Sequence, residues 1–117
     1  MTNNPLKGLF NLDHNIKLYI PSTVEANKPV DNTPQVDEAL RLFSKWFGGA
    51  TANRAVGAWN CDKVGLVKEK VTIVESYCTA EQVEEYIGLV VEHGKKLKRD
   101  MSQEAISLEY DNKLFFI

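Results

Sequence analysis

Two stretches of the chain carry apolar residues at helical spacing on one side only: Val36, Ala39, Leu40, Phe43 and Phe47, then Val83, Tyr86, Ile87, Val90, Gly94 and Leu97. A one-sided stripe has to be buried against another element, and the segments around the two helices alternate polar and apolar residues with the period of two that belongs to strands. Ile16, Leu18 and Ile20 mark a first strand that stops at Pro21. Thr51 to Asn60 and Leu66 to Tyr77 form a hairpin across the turn "DKVG", Asp62 to Gly65. Ile106, Leu108 and Tyr110 mark a fourth strand, and "DNK" turns the chain into a short apolar edge, "LFFI". The order is β-α-β-β-α-β, with both helices on one side of an antiparallel sheet. That is the ferredoxin-like sandwich, an α+β fold. The other sheet face is left to water, a ligand or a second chain.

The helix ends are marked in the sequence. Thr33 is the expected N-cap of the first helix with Pro34 at its first position, and Gly48-Gly49 stops it. Thr79 and Gln82 have the spacing of a capping box for the second. Trp46 falls off the first stripe, so it lies over the helix edge or meets another chain. Residues 1 to 13 read as an arm whose Leu9 and Phe10 are free to dock, and residues 14 to 117 as a single domain.

Charge and composition exclude several classes. The 117 residues carry a net charge of -2, which offers no broad basic surface to a phosphate backbone, so no nucleic-acid partner is expected. The basic run "KKLKR", Lys95 to Arg99, reads as the solvated last turn of a helix, where cations complement the helix dipole. Cys61 and Cys78 stand at opposite ends of the hairpin and read as free thiols. No stretch approaches the ~18 consecutive apolar residues of a membrane span, and no signal segment stands out, so a cytoplasmic protein with no membrane association is expected. His14 and His93 are isolated, and His93 reads as a cap or solvated residue in the last turn of its helix. No metal site and no cofactor are expected.

The candidate chemistry lies in the hairpin. Counting by twos, Val67, Glu69, Val71, Ile73, Glu75 and Tyr77 share the more apolar face of the third strand, which predicts that this face is the buried one and that Glu69 interrupts it. Leu66, Lys68, Lys70, Thr72, Val74 and Ser76 then belong to the open face. A buried carboxylate has to be paired, hydrogen-bonded or protonated. Glu69 is therefore either an anchor or proton acceptor in a pocket, or a structural residue that reaches solvent or pairs with a cation such as Arg54. Gly57 beside Trp59 offers a slot for a planar ligand, or else a bulge beside a core tryptophan.

The series "FGGAT", "GAW", "GLVKEKVTIV" and "SQEAI" resembles a family of short, uncharacterised bacterial and phage proteins of ferredoxin-like fold. Their pattern is F-x-G-x-T, G-x-W, an acid-bearing strand, and Gln-Glu before the last strand. The match runs from about Lys17 to Leu108, and Gly48 replaces the proline that often follows the phenylalanine. The resemblance implies a shared set of positions, Thr51, Gly57, Trp59, Glu69, Gln103 and Glu104, and an origin in a phage or other mobile element. It implies no activity.

The leading expectation is a small binding or interaction protein, homodimeric through its open sheet face or its Leu114 to Ile117 edge, with a ligand site at Thr51, Arg54, Trp59, Glu69, Gln103 and Glu104. Two alternatives stand beside it. One is a small enzyme using Glu69 as general base, ranked below the binding protein. The other is an inhibitor that docks on a host protein through Trp46 and the arm.

Overall fold

The computed structural model describes residues 3–25 and 28–117. The eight residues of β1, His14–Pro21, pair antiparallel with β5, Gly65–Cys78, on one side and with β6, Ser107–Tyr110, on the other. The sheet is completed by β4, Thr51–Cys61, outside β5 and by β7, Lys113–Phe116, outside β6. A small hairpin of β2, Thr23–Val24, and β3, Lys28–Pro29, follows β1. Two helices, α1 (Thr33–Phe47) and α2 (Ala80–Asp100), cover one side of the sheet. The sheet order β4-β5-β1-β6-β7 contains the four-strand ferredoxin-like arrangement with one strand added at the edge.

Local chemistry sets the helix ends. At α2 the capping box forms: Thr79 Oγ1 accepts from the Gln82 N–H at 3.2 Å and the Thr79 N–H donates to Gln82 Oε1 at 2.9 Å. At its other end Ser102 takes a left-handed conformation (φ 51°), with its N–H bonded to the Arg99 carbonyl and that of Gln103 to the Lys98 carbonyl. Helix α1 begins one residue earlier than the sequence suggests, with Asn32 rather than Thr33 at the N-cap. The Asn32 amide is turned inward, donating to the Pro21 carbonyl at 3.1 Å and to Thr72 Oγ1 at 3.3 Å. Asp31 takes over as the acceptor for the Thr33 hydroxyl at 2.6 Å and N–H at 3.0 Å, bonds that hold its carboxyl below the usual carboxylate range. Gly48 closes α1 at φ 93°.

The core fixes which face of β5 is covered, and it is the opposite of the face expected from its apolar content. Thr72, Val74, Ser76 and Cys78 are buried beneath the helices beside Ile16, Leu18, Ile20 and Leu108, and meet Ala39, Phe43 and Phe47 of α1 and Val83, Val90 and Leu97 of α2. Val67, Glu69, Val71, Ile73, Glu75 and Tyr77 lie on the open face. The reason is size and hydrogen bonding. Thr72 and Ser76 are small, and their hydroxyls are satisfied, Ser76 Oγ donating to the Gly49 carbonyl at 2.6 Å. Glu69 and Glu75 have no such means of entering a core.

Three further side chains gain partners that the sequence does not show. Trp46 stacks on Tyr86 with ring centroids 6.3 Å apart and so bridges α1 and α2. His93 sits mid-helix and buried, facing Glu38 of α1 at 3.8 Å, and burial pushes its pKa below the usual histidine value. His14 is not isolated: its Nδ1 lies 2.6 Å from Asp111 in the two-residue β6–β7 turn, where Asp111 and Asn112 both have positive φ. Both cysteines are free. Of the arm, the described residues from Asn3 to Asp13 are exposed.

Candidate functional site

Strand pairing stops at Val71 on the β1 side, opposite Pro21, while β4 and β5 stay paired as far as Cys61 and Gly65. The hairpin therefore leaves the sheet as a two-stranded ribbon, and the described residues span 57 × 32 × 21 Å. Gly65 at φ 83° makes the tight turn at its tip. Directly paired residues share a face, so Trp59 opposite Val67, Gly57 opposite Glu69, and Ala55 opposite Val71 all lie on the open side. At Glu69 the facing strand is bare because residue 57 is glycine, and Trp59 is the next side chain along, half exposed.

Glu69 is half-buried at the base of the ribbon, where no helix overlies it. Its Oε1 accepts from the Thr23 hydroxyl at 3.4 Å, and the Thr23 carbonyl accepts from Gln103 Nε2 at 2.8 Å. Gln103 thus reaches Glu69 through the backbone of β2, holding that short strand against the sheet. Arg54 is paired with Thr72 and so lies on the helix side of the ribbon; it lines a crevice of about 520 Å³ with Asp31, Asn32 and Lys70. It is no partner for Glu69. Thr51 shares the open face but pairs with Glu75, six positions from Glu69, roughly 20 Å along the strand. Glu104 is exposed. Of the six sequence candidates the structure brings together Trp59, Glu69 and Gln103, and sets Thr51, Arg54 and Glu104 apart from them.

A second polar group on the same face was not read from the sequence. Asn15, Lys17 and Tyr19 project from β1 between the buried Ile16, Leu18 and Ile20. The Lys17 ammonium lies 3.5 Å from Glu109 and 4.0 Å from Glu75, the Tyr19 hydroxyl donates to Glu109 at 3.1 Å, and Asn15 Nδ2 donates to Glu75 at 3.3 Å. Burial works against the charge on Lys17, but Glu109 and Glu75 outweigh it and raise its pKa; burial and the bond to Glu109 raise that of Tyr19. The signal was present in the alternation of three strands: each of Lys17, Glu75 and Glu109 stands between residues that face the core. The open face as a whole carries three carboxylates, Glu69, Glu75 and Glu109, against one cation, with Trp59, Tyr19 and Tyr77 around them. Such a surface attracts a cationic ligand and offers aromatic rings to it.

No protein-family model and no curated protein matches the chain. Two solved structures share its fold. A phage SAM lyase in complex with S-methyl-5'-thioadenosine superposes with a TM-score of 0.66 at 18% identity, covering 93% of this chain and 94% of that one. A phage SAM lyase in the apo state gives 0.67 at 18% identity, covering 97% and 95%. Among the described residues, no helix is long and apolar enough to cross a membrane.

Proposed function

We propose that this chain is an S-adenosylmethionine-degrading enzyme that works on the open sheet face, releasing S-methyl-5'-thioadenosine, and that it is phage-encoded. The observation that carries the reading is the acidic, aromatic-bearing open face on a fold shared over nearly its whole length with a phage SAM lyase. S-adenosylmethionine carries a permanent positive charge on sulfur and a second on its amino group. Carboxylates and aromatic faces stabilise both, and the indole of Trp59 offers a stacking surface for adenine. Release of the thioether breaks the bond from sulfur to the four-carbon chain, the electron pair passing to sulfur, while an oxygen of the substrate's own carboxylate bonds to the carbon left behind and closes a lactone. Glu69, its Oε1 held by Thr23, anchors the substrate ammonium group in this reading. In the alternative in which Glu69 acts as general base, it takes a proton from the carbon next to the broken bond and leaves an unsaturated amino acid.

Within one chain the site is a surface rather than a cavity, so the proposal includes self-association. A second copy, as in the homodimer expected from sequence, covers the ribbon and closes the site. The experiment is to incubate the purified protein with S-adenosylmethionine and follow S-methyl-5'-thioadenosine and the four-carbon product by mass spectrometry. Thioether release above the uncatalysed rate, lowered about tenfold or more in Glu69→Gln and weakened in Trp59→Ala while both remain folded, supports the proposal. Absence of release, together with no heat of binding for S-methyl-5'-thioadenosine, overturns it. An unsaturated four-carbon product assigns the base role to Glu69.

A further inference from the structure

On the helix side of the sheet, away from the open face, α2 and the β6–β7 edge diverge. Between them lies a groove of about 930 Å³, within the ~300–1,000 Å³ of small-molecule sites. Ile87, Val91, Leu108, Phe115 and Ile117 form its apolar walls. Among the described residues no carboxylate side chain lines it, whereas Lys95, Lys98 and Arg99 stand along its rim. Lys95 is paired with Glu92 at 3.3 Å, but among the described residues Lys98 and Arg99 enter no ion pair.

An apolar trough beside cations that enter no ion pair selects a ligand with a hydrocarbon body and an anionic end. The exposed arm of a neighbouring copy, with Leu6, Leu9 and Phe10, matches the apolar part only, since Lys7 and Asp13 leave its described side chains without net charge. We propose that this groove binds a free medium- or long-chain carboxylate, its chain along Val91, Leu108 and Phe115 and its head group at Lys98 and Arg99. Gln103, which holds β2 behind Glu69, also lines this groove, but the head group is placed at the Lys98 and Arg99 side chains, which make no hydrogen bond to Thr23 or Glu69.

The test uses decanoate with protein carrying 13C-labelled Ile, Leu and Val methyl groups. Shifts confined to Ile87, Val91, Leu108 and Ile117 are expected. Decanoate should bind about tenfold more tightly than octanoate, the worth of two further buried methylenes. The double variant Lys98→Glu, Arg99→Glu should weaken decanoate by about tenfold and leave neutral decanol unchanged. Val91→Glu should weaken both ligands, which keeps the test open if the double variant folds poorly. Decanoate that moves no groove methyl, or that binds the double variant as well as the parent, overturns the proposal. So do groove shifts that follow protein concentration alone, which would give the groove to a second copy, and binding of an acidic amphipathic peptide without decanoate, which would give it to a protein partner. Breakdown of S-adenosylmethionine in the same double variant should be unchanged, so the two proposals fail separately.

Discussion

Which face of β5 lies under the helices is decided by comparing two neighbouring residues. Val74 is fully buried, while Ile73, next to it on the open face, is only partly so. Val74→Ala deletes two carbons from the core, about 1.6 kcal/mol of transfer free energy at ~0.8 kcal/mol per methylene, and the cavity raises this to about 2–3 kcal/mol. Ile73→Ala deletes three carbons, about 2.4 kcal/mol on the same scale, but part of that surface is already wet and no closed cavity is left behind, so about 1.5–2 kcal/mol is expected. The smaller side chain should cost more. In urea, with a slope of about 1–3 kcal/mol/M for a domain of this size, Val74→Ala should lower the midpoint by about 1 M and Ile73→Ala by distinctly less. The measurement belongs at submicromolar protein and again at tens of micromolar, because a second copy covering the open face would make the Ile73→Ala cost grow with concentration. If Ile73→Ala is the costlier substitution at the lower concentration, the assignment of the two faces is wrong, and the placement of Glu69 with it.

Three further outcomes follow from particular contacts. A Cβ on Gly94 would meet Ile117 Cδ1, the far end of a side chain that must turn aside, so Gly94→Ala should show less of the gain of about 1 kcal/mol that helix propensity predicts than it does in an Ile117→Ala background; equal effects in the two backgrounds by thermal melts would refute the contact. Burial lowers the pKa of His93 in the folded state, with Glu38 and Arg41 facing it from α1 and Lys96 and Asp100 from α2. The unfolded chain therefore takes up this proton first, and stability should fall as pH drops below about 6.5, by at most about 1.4 kcal/mol per pH unit from this group. His93→Leu should flatten that slope without loss at pH 7, because the His93 Nε2 it removes is buried with no partner; an unchanged slope would remove His93 as the cause. The Asn15 N–H and His14 hold the Asp111 carboxyl below its usual range, so this contribution is intact above about pH 4 and is lost below it, and an NMR titration that finds an ordinary pKa would contradict these contacts.

The order of elements was legible because each depends on local chemistry. Thr79 with Gln82, the glycines after Phe47, and the paired turn residues Asp111 and Asn112 each prescribe a backbone conformation with no help from the rest of the fold. The face of β5 was not legible, because its two residue sets both contain apolar side chains. The deciding contacts come from residues far away in sequence: Gly49 receiving the Ser76 hydroxyl, and Asn32 reaching Thr72. Hydrophobic counting ranked Val67, Val71 and Ile73 above Thr72 and Ser76, and long-range hydrogen bonding reversed that ranking. The same reversal hid Lys17, Glu75 and Glu109, whose grouping depends on β1 lying between β5 and β6.

Glu69 was singled out for a burial cost that the isolated chain does not impose. It stands at the base of the ribbon, half-buried, with Gly57 across from it and one hydroxyl from Thr23 as its partner. As a single copy the chain therefore tolerates the acid easily, and Glu69→Gln should leave the unfolding midpoint of dilute protein nearly unchanged. The cost arises only when something dry covers the open face, for then a carboxylate with one neutral hydrogen bond is short of a counter-charge. In the proposed reaction the substrate supplies that counter-charge through its sulfonium and ammonium groups. A neutral ligand such as S-methyl-5'-thioadenosine does not. Glu69→Gln should accordingly weaken S-adenosylmethionine by about tenfold or more while changing the affinity for S-methyl-5'-thioadenosine by less than about threefold. Calorimetry on both ligands reads the two affinities directly, and an equal loss for both would show that Glu69 does not read the substrate's charge.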